Sequence, residues 1–146
     1  YPRHTSTEDR DSWRPANSCT DSWRELGMSK VIGIVGTRRR DTANDKLACL
    51  VAFDKVYEIG DSIVSGGCPK GGDSFAEWIA KARGLTITIH YPNWNGPAKR
   101  AAGFVRNTKI AEDCDILLAL VAEDRKGGTE DTIKKCIKLG KQVVLI

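Results

Sequence analysis

Short apolar, β-branched runs recur along residues 30–146, each followed by a glycine-rich or polar exit and then by a stretch of helical period. Five such runs predict strands over residues 31–35, 62–65, 85–90, 115–120 and 142–146. The run Ile116-Leu117-Leu118-Ala119-Leu120-Val121 is apolar without alternation, the pattern of a strand whose two faces are both covered by helices. A parallel sheet is therefore expected.

Helix ends punctuate the intervening segments. Residues 43–59 carry Leu47, Leu50, Val51 and Tyr57 on neighbouring faces and stop at Gly60, which easily takes the left-handed terminating conformation. Ser74 with Glu77 predicts a capping box for a second helix that closes at Gly84. The third helix begins either at Pro97 or near Gly103. Thr129 can cap the last, which is expected to bury Ile133, Cys136 and Ile137 and to end at Gly140. Right-handed crossovers between these units favour the strand order 3-2-1-4-5, an α/β three-layer sandwich of Rossmann-like class. In that order the loops after strands one and four diverge, and ligands bind there.

Residues 1–27 break the pattern, being polar with two isolated tryptophans, Trp13 and Trp23. They read as a leader, either an addition ahead of a natural start at Met28, the single methionine, or a flexible arm that packs through its tryptophans. The remaining length and the 40% hydrophobic content suit one domain with one core. No apolar run approaches the roughly 18 residues of a membrane span, and no secretory signal is evident, so a cytoplasmic location without a membrane partner is expected. Five cysteines without a CxxC pair, and histidines as distant as His4 and His90, predict reduced, packed thiols and neither a metal nor another cofactor.

The net charge is +4, and residues 28–146 hold nineteen basic against fourteen acidic residues. That excess suits an anionic ligand, although solvated lysines and arginines produce the same total. Position is more informative. Gly36-Thr37-Arg38 follows the first strand, where glycine permits close approach, a hydroxyl can bond a phosphate oxygen and a guanidinium can grip it. The segment from Ser65 through Gly66, Gly67 and Lys70 to Asp73 is glycine-rich and leads into a helix, but Gly72 stands where a P-loop requires lysine, which excludes a P-loop ATPase. Asp73 either holds a ribose hydroxyl or caps the helix. Gly127-Gly128-Thr129 offers a second anion-friendly turn across the crevice, and Glu130 and Asp131 just after it either complement the helix dipole or provide a general base. Arg106-Asn107 aims a cation and an amide at the same crevice if the third helix starts near Gly103. Trp94 can stack on a base, close over the ligand or simply pack.

On these residues, the chain from 31 to 146 resembles the SLOG superfamily, closest to its YspA-like branch and related to the Lonely Guy phosphoribohydrolases and the DNA-processing protein A domain. The matching elements are Val35-Gly36-Thr37-Arg38, Val64-Ser65-Gly66-Gly67 with Lys70-Gly71-Gly72-Asp73, Pro92-Asn93-Trp94, Gly103 through Arg106-Asn107, and Gly127-Gly128-Thr129. The resemblance implies nucleotide or nucleotide-derived ligands, commonly a homo-oligomer, and in some branches cleavage of the bond between base and ribose 5-phosphate. Arg106 matches the arginine of the hydrolases' Arg-Lys motif, with Asn107 in place of the lysine. Thr132 occupies the place of their glutamate, and threonine cannot stabilise a cation-like ribosyl centre or activate water. The leading expectation is a nucleotide sensor or carrier. The alternative is an N-glycoside hydrolase of nucleoside 5′-monophosphates using Arg106 with Glu130 or Asp131, and a nucleic-acid partner is the least expected of the three.

Overall fold

The computed structural model describes residues 29–146, so the leader with Trp13, Trp23 and Met28 lies outside the described residues. Five strands, β1 (Val31–Gly36), β2 (Ser62–Ser65), β3 (Ile87–Ile89), β4 (Ile116–Leu120) and β5 (Gln142–Leu145), alternate with four α-helices, α1 (Ala43–Val56), α2 (Gly72–Arg83), α3 (Ala102–Asp113) and α4 (Gly128–Lys138). All pairings are parallel and the sheet order is β3-β2-β1-β4-β5, as the crossover rules predict. No helix among the described residues is long and apolar enough to cross a membrane.

The two-residue period of the strands divides the core in two. Ile32, Ile34, Ile63 and Leu118 point to the face covered by α1 and α2, where they pack on Phe53, Phe75 and Ile79. Val35, Val64, Leu117 and Ala119 point to the other face, against Ile110 of α3 and Ile133 of α4. Every residue of β4 is buried, so its unbroken apolar run reflects two helical layers. Beneath the amino ends of β1 and β2, Lys30 is 3% and Asp61 is 7% exposed, and the ammonium of Lys30 pairs with the Asp61 carboxylate. Asp61 also accepts the N–H groups of Lys30 at 3.0 Å and Glu58 at 2.9 Å.

Several helical details differ from the sequence expectation. The capping box forms at Thr42 and Asp45, before α1, and not at Ser74, whose hydroxyl donates to the carbonyl of Gly71 inside an α2 that starts two residues earlier. Thr129 does not cap α4, which starts at Gly128 behind Gly127. Helix α1 stops at Val56, short of Ile59, and buries Cys49 and Phe53 while Leu47 and Val51 face outward. On α4 the buried face is Thr132, Ile133 and Cys136, which turns Ile137 to the surface. Helix α3, by contrast, starts at Ala102 after a 3-10 turn (Lys99–Ala101), which agrees with the expected start near Gly103 and not with the one at Pro97.

Candidate functional site

β1 and β4 lie side by side, and the connections that follow them leave toward opposite faces of the sheet. The divergence opens a cavity of about 370 Å³. Its walls are Thr37 and Arg38 after β1, Lys126 to Thr129 after β4, and Arg106 and Asn107 from α3, with Thr132 at the side of α4. A second cavity of about 330 Å³ lies between Gly66, Gly67, Tyr91 and Trp94 and shares Arg38, Cys68 and Arg106 with the first.

The three arginines after β1 have different partners. Arg39 makes a bidentate pair with Asp124 at 2.8 and 3.1 Å, clasping the β1 loop to the β4 loop across the cleft mouth. Arg40 bonds Asp45 and the carbonyl of Ile146. Arg38 has no hydrogen-bond or ion-pair partner among the described residues and borders both cavities. Thr37 accepts the N–H of Arg39 through its hydroxyl at 3.3 Å. Gly36 is not in the wall: a Cβ there would come within 2.9 Å of the Gly72 amide and 3.0 Å of Leu120, so this glycine serves the seating of α2 on β1.

On the opposite side, no described side chain caps α4, and its first residues, Gly128 and Thr129, border the cavity at the positive end of the helix dipole. Thr132 is 1% exposed, borders the cavity, and its hydroxyl has no hydrogen-bond partner among the described residues. A buried hydroxyl ordinarily finds one, because an unmet polar group in a protein interior costs about 1–3 kcal/mol.

Arg106 is tied down. Its Nη1 donates to the carbonyl of Gly66 at 2.6 Å and its Nε to Asn107 at 2.9 Å. Asn107 in turn donates to the Gly128 carbonyl at 3.3 Å and to Asp131 at 3.1 Å, joining α3 to the start of α4. The two candidate bases are engaged as well: Glu130 receives both arms of Arg125, and Asp131 pairs with Lys135. Ser65 is fully buried and donates to the Ile34 carbonyl at 2.6 Å. Trp94 is 59% exposed, at the outer wall of the second cavity.

Asp73 lies inside, 6% exposed, accepting the Cys68 N–H at 3.1 Å and lying 3.2 Å from the Ser65 hydroxyl. It thus organises the glycine-rich loop and does not cap α2. Burial raises its carboxyl above the usual carboxylate range, outweighing the Cys68 N–H, Arg106 and Ser65, which favour the ionised form. A carboxyl raised in the folded state contributes most stability while protonated, below its ordinary 3.8, and that contribution is lost as pH rises through the folded value. Asp73→Asn cannot ionise, so its stability relative to the parent should increase as pH rises from 3.8 to the raised folded value and stay level above it. Urea midpoints of both proteins across a pH series check this, and parallel curves would show that the carboxyl titrates normally.

Cys68 and Lys126 also stand in the walls, within the loops after β2 and β4 that the sequence marks, whereas Tyr91 lies outside every segment it marks. Cys68 is half-buried and not a core thiol, whereas Cys49, Cys114 and Cys136 are buried, and all four are free. Tyr91 and Lys126 carried a usable signal, since both directly follow the carboxyl end of a strand or precede a glycine turn. Among the described residues, no group of three or more His, Cys, Asp or Glu side chains is placed to hold a metal ion. In comparison with known proteins, no family model and no curated protein matches this chain.

Proposed function

We propose that residues 29–146 are a nucleotide-binding domain of SLOG type that holds the phosphate of a nucleotide or nucleotide derivative at the β1/β4 divergence, as a sensor or carrier. The observation that carries the reading is the meeting, in one cavity, of three unsatisfied phosphate-binding groups: the free guanidinium of Arg38, the uncapped amides at the start of α4 and the buried hydroxyl of Thr132. Phosphate oxygens complement all three. The neighbouring cavity, walled by Tyr91 and Trp94, offers flat apolar surface for a base. Four free cysteines fit a reducing compartment such as the cytoplasm.

Hydrolysis of a nucleoside 5′-monophosphate is the weaker reading. Glu130, Asp131 and Asp73 each already hold partners, and Thr132 provides no carboxylate beside the ribosyl centre. Incubation with the common nucleoside 5′-monophosphates should therefore release no free base, and release of any would replace binding by catalysis.

Thermal-shift titration of the same compounds tests the shared claim, since a ligand at a hundred times its dissociation constant stabilises the fold by about 2.7 kcal/mol. Arg38→Ala should abolish that shift while leaving the unliganded stability within about 0.5 kcal/mol, because Arg38 has no partner to lose. Arg106→Ala should lose both binding and stability, since it frees the Gly66 carbonyl and withdraws a counter-charge from Asp73. An unchanged shift in Arg38→Ala would remove the phosphate from the place assigned to it.

A further inference from the structure

Beyond Trp94 the surface falls into a third depression of about 520 Å³, bordered by Trp94, Asn95, Lys99 and Arg100. The three spaces are continuous in composition: the first two share Arg38 and Arg106, and the second and third share Trp94. A nucleoside 5′-monophosphate fits the first two, with phosphate between Arg38 and α4 and base against Tyr91 and Trp94. It leaves the third empty.

The third space has its own anion chemistry. No carboxylate borders it, and neither Lys99 nor Arg100 has a side-chain partner among the described residues. Lys99 also holds a left-handed backbone, φ 48°, its N–H donating to the Gly96 carbonyl at 3.2 Å. A non-glycine residue keeps that conformation only where its surroundings impose it, and such strain concentrates where side chains are aimed for function. Trp94 is 59% exposed between the two depressions, standing over Gly103 at the start of α3, where an added Cβ would touch its ring at 3.4 Å. An exposed indole flanked by unpaired cations is an arrangement that stacks bases and grips the phosphates next to them.

Resting on the nucleotide-binding reading above, we infer that the ligand is a nucleotide extended by a second phosphate-bearing unit, of the class of 5′-phosphorylated dinucleotides. The first phosphate sits at Arg38 and α4, the first base lies between Tyr91 and Trp94, and the second phosphate meets Lys99 and Arg100. Trp94 separates the two halves of the ligand.

Calorimetric titration at low salt with the four nucleoside 5′-monophosphates and the corresponding 5′-phosphorylated homodinucleotides tests this. The best dinucleotide should bind at least about tenfold more tightly than its mononucleotide, as a second charge-assisted contact implies. Lys99→Ala with Arg100→Ala should remove that gain and leave mononucleotide affinity within about twofold, both residues being exposed and outside the mononucleotide space. Equal affinity for the two ligand classes, or equal weakening of both in the double variant, overturns the inference while leaving the nucleotide site intact. Affinity that continues to climb with strands of five and ten nucleotides also overturns it, in favour of a single-strand surface. Failure of every mononucleotide and dinucleotide to bind takes down the underlying reading as well.

Discussion

Gly72→Ala is expected to destabilise the domain by about 3 kcal/mol, the upper part of the usual range for forcing atoms into a filled interior. A Cβ at this position would lie 2.4 Å from the carbonyl carbon of Val35, 2.5 Å from its oxygen and 2.6 Å from the amide of Gly36. All three are backbone atoms of the central strand, which is pinned on both sides by β2 and β4. They cannot rotate away as a side-chain tip would. Alanine's better helix propensity, at most about 1 kcal/mol, works in the opposite direction and is too small to prevail. Urea unfolding reads the difference directly, and a midpoint equal to or above that of the parent would show that α2 is free to lift from β1. Because Asp73 and the Cys68 loop are anchored to the same turn, the nucleotide-induced thermal shift should shrink in parallel.

Asp61→Ala should cost about 3 kcal/mol, the lower end of the usual range for breaking a buried ion pair, because the buried Lys30 ammonium is left with only Glu58, at 3.5 Å, as counter-charge. Two backbone donors, the N–H groups of Lys30 and Glu58, lose their acceptor at the same time. The pair lies at the amino ends of β1 and β2, the far side of the sheet from the cleft, so ligand affinity per folded molecule should be unaffected. Replacing both partners by apolar residues, Lys30→Met with Asp61→Leu, should recover the part of the loss due to the buried charge but not the part due to the two N–H groups left without an acceptor. Unfolding free energies of the three proteins decide it; a single substitution that costs less than about 1 kcal/mol would mean that Glu58 or water serves the ammonium in place of Asp61.

The sheet was legible because its signals are local and redundant: the apolar runs of β1 and β4 carry their burial on their face, and crossover handedness restricts their order. Helix starts were less so. Thr42 and Asp45 form the capping box, while the similar Ser74 and Glu77 do not, because the close seating of Gly72 on Val35 pulls the start of α2 two residues upstream. No window around Ser74 contains that contact. Ile137 was misassigned for a related reason: Thr132, polar in composition but buried, belongs to the inward face of α4, and counting only apolar residues rotated the face toward Ile137.

For the cleft, residue type announced the loops but not the division of labour within them. Arg38, Arg39 and Arg40 are identical in sequence terms, and their partners, Asp124 for Arg39 and Asp45 with the Ile146 carbonyl for Arg40, decide that two are engaged within the fold while Arg38 has no side-chain partner among the described residues. Gly36 likewise reads as a phosphate glycine until α2 is found against it.

The pairing of β1 with β4 also sets when the cleft can exist. Val31 and Asp115, which meet through a 2.8 Å hydrogen bond at the foot of this pair, are 84 positions apart in the chain. Contacts of such long separation form late, after the closure entropy of everything between them has been met. During synthesis the segments of β1, β2 and β3 emerge before that of β4, so the edge of β1 that β4 covers is the last side of the central strand to gain its partner. A nascent chain that has not yet reached Ile116 holds Thr37, Arg38 and Asp73, yet has no cleft between them and α4. The cavity at the β1/β4 divergence is thereby completed only in the last steps of assembly.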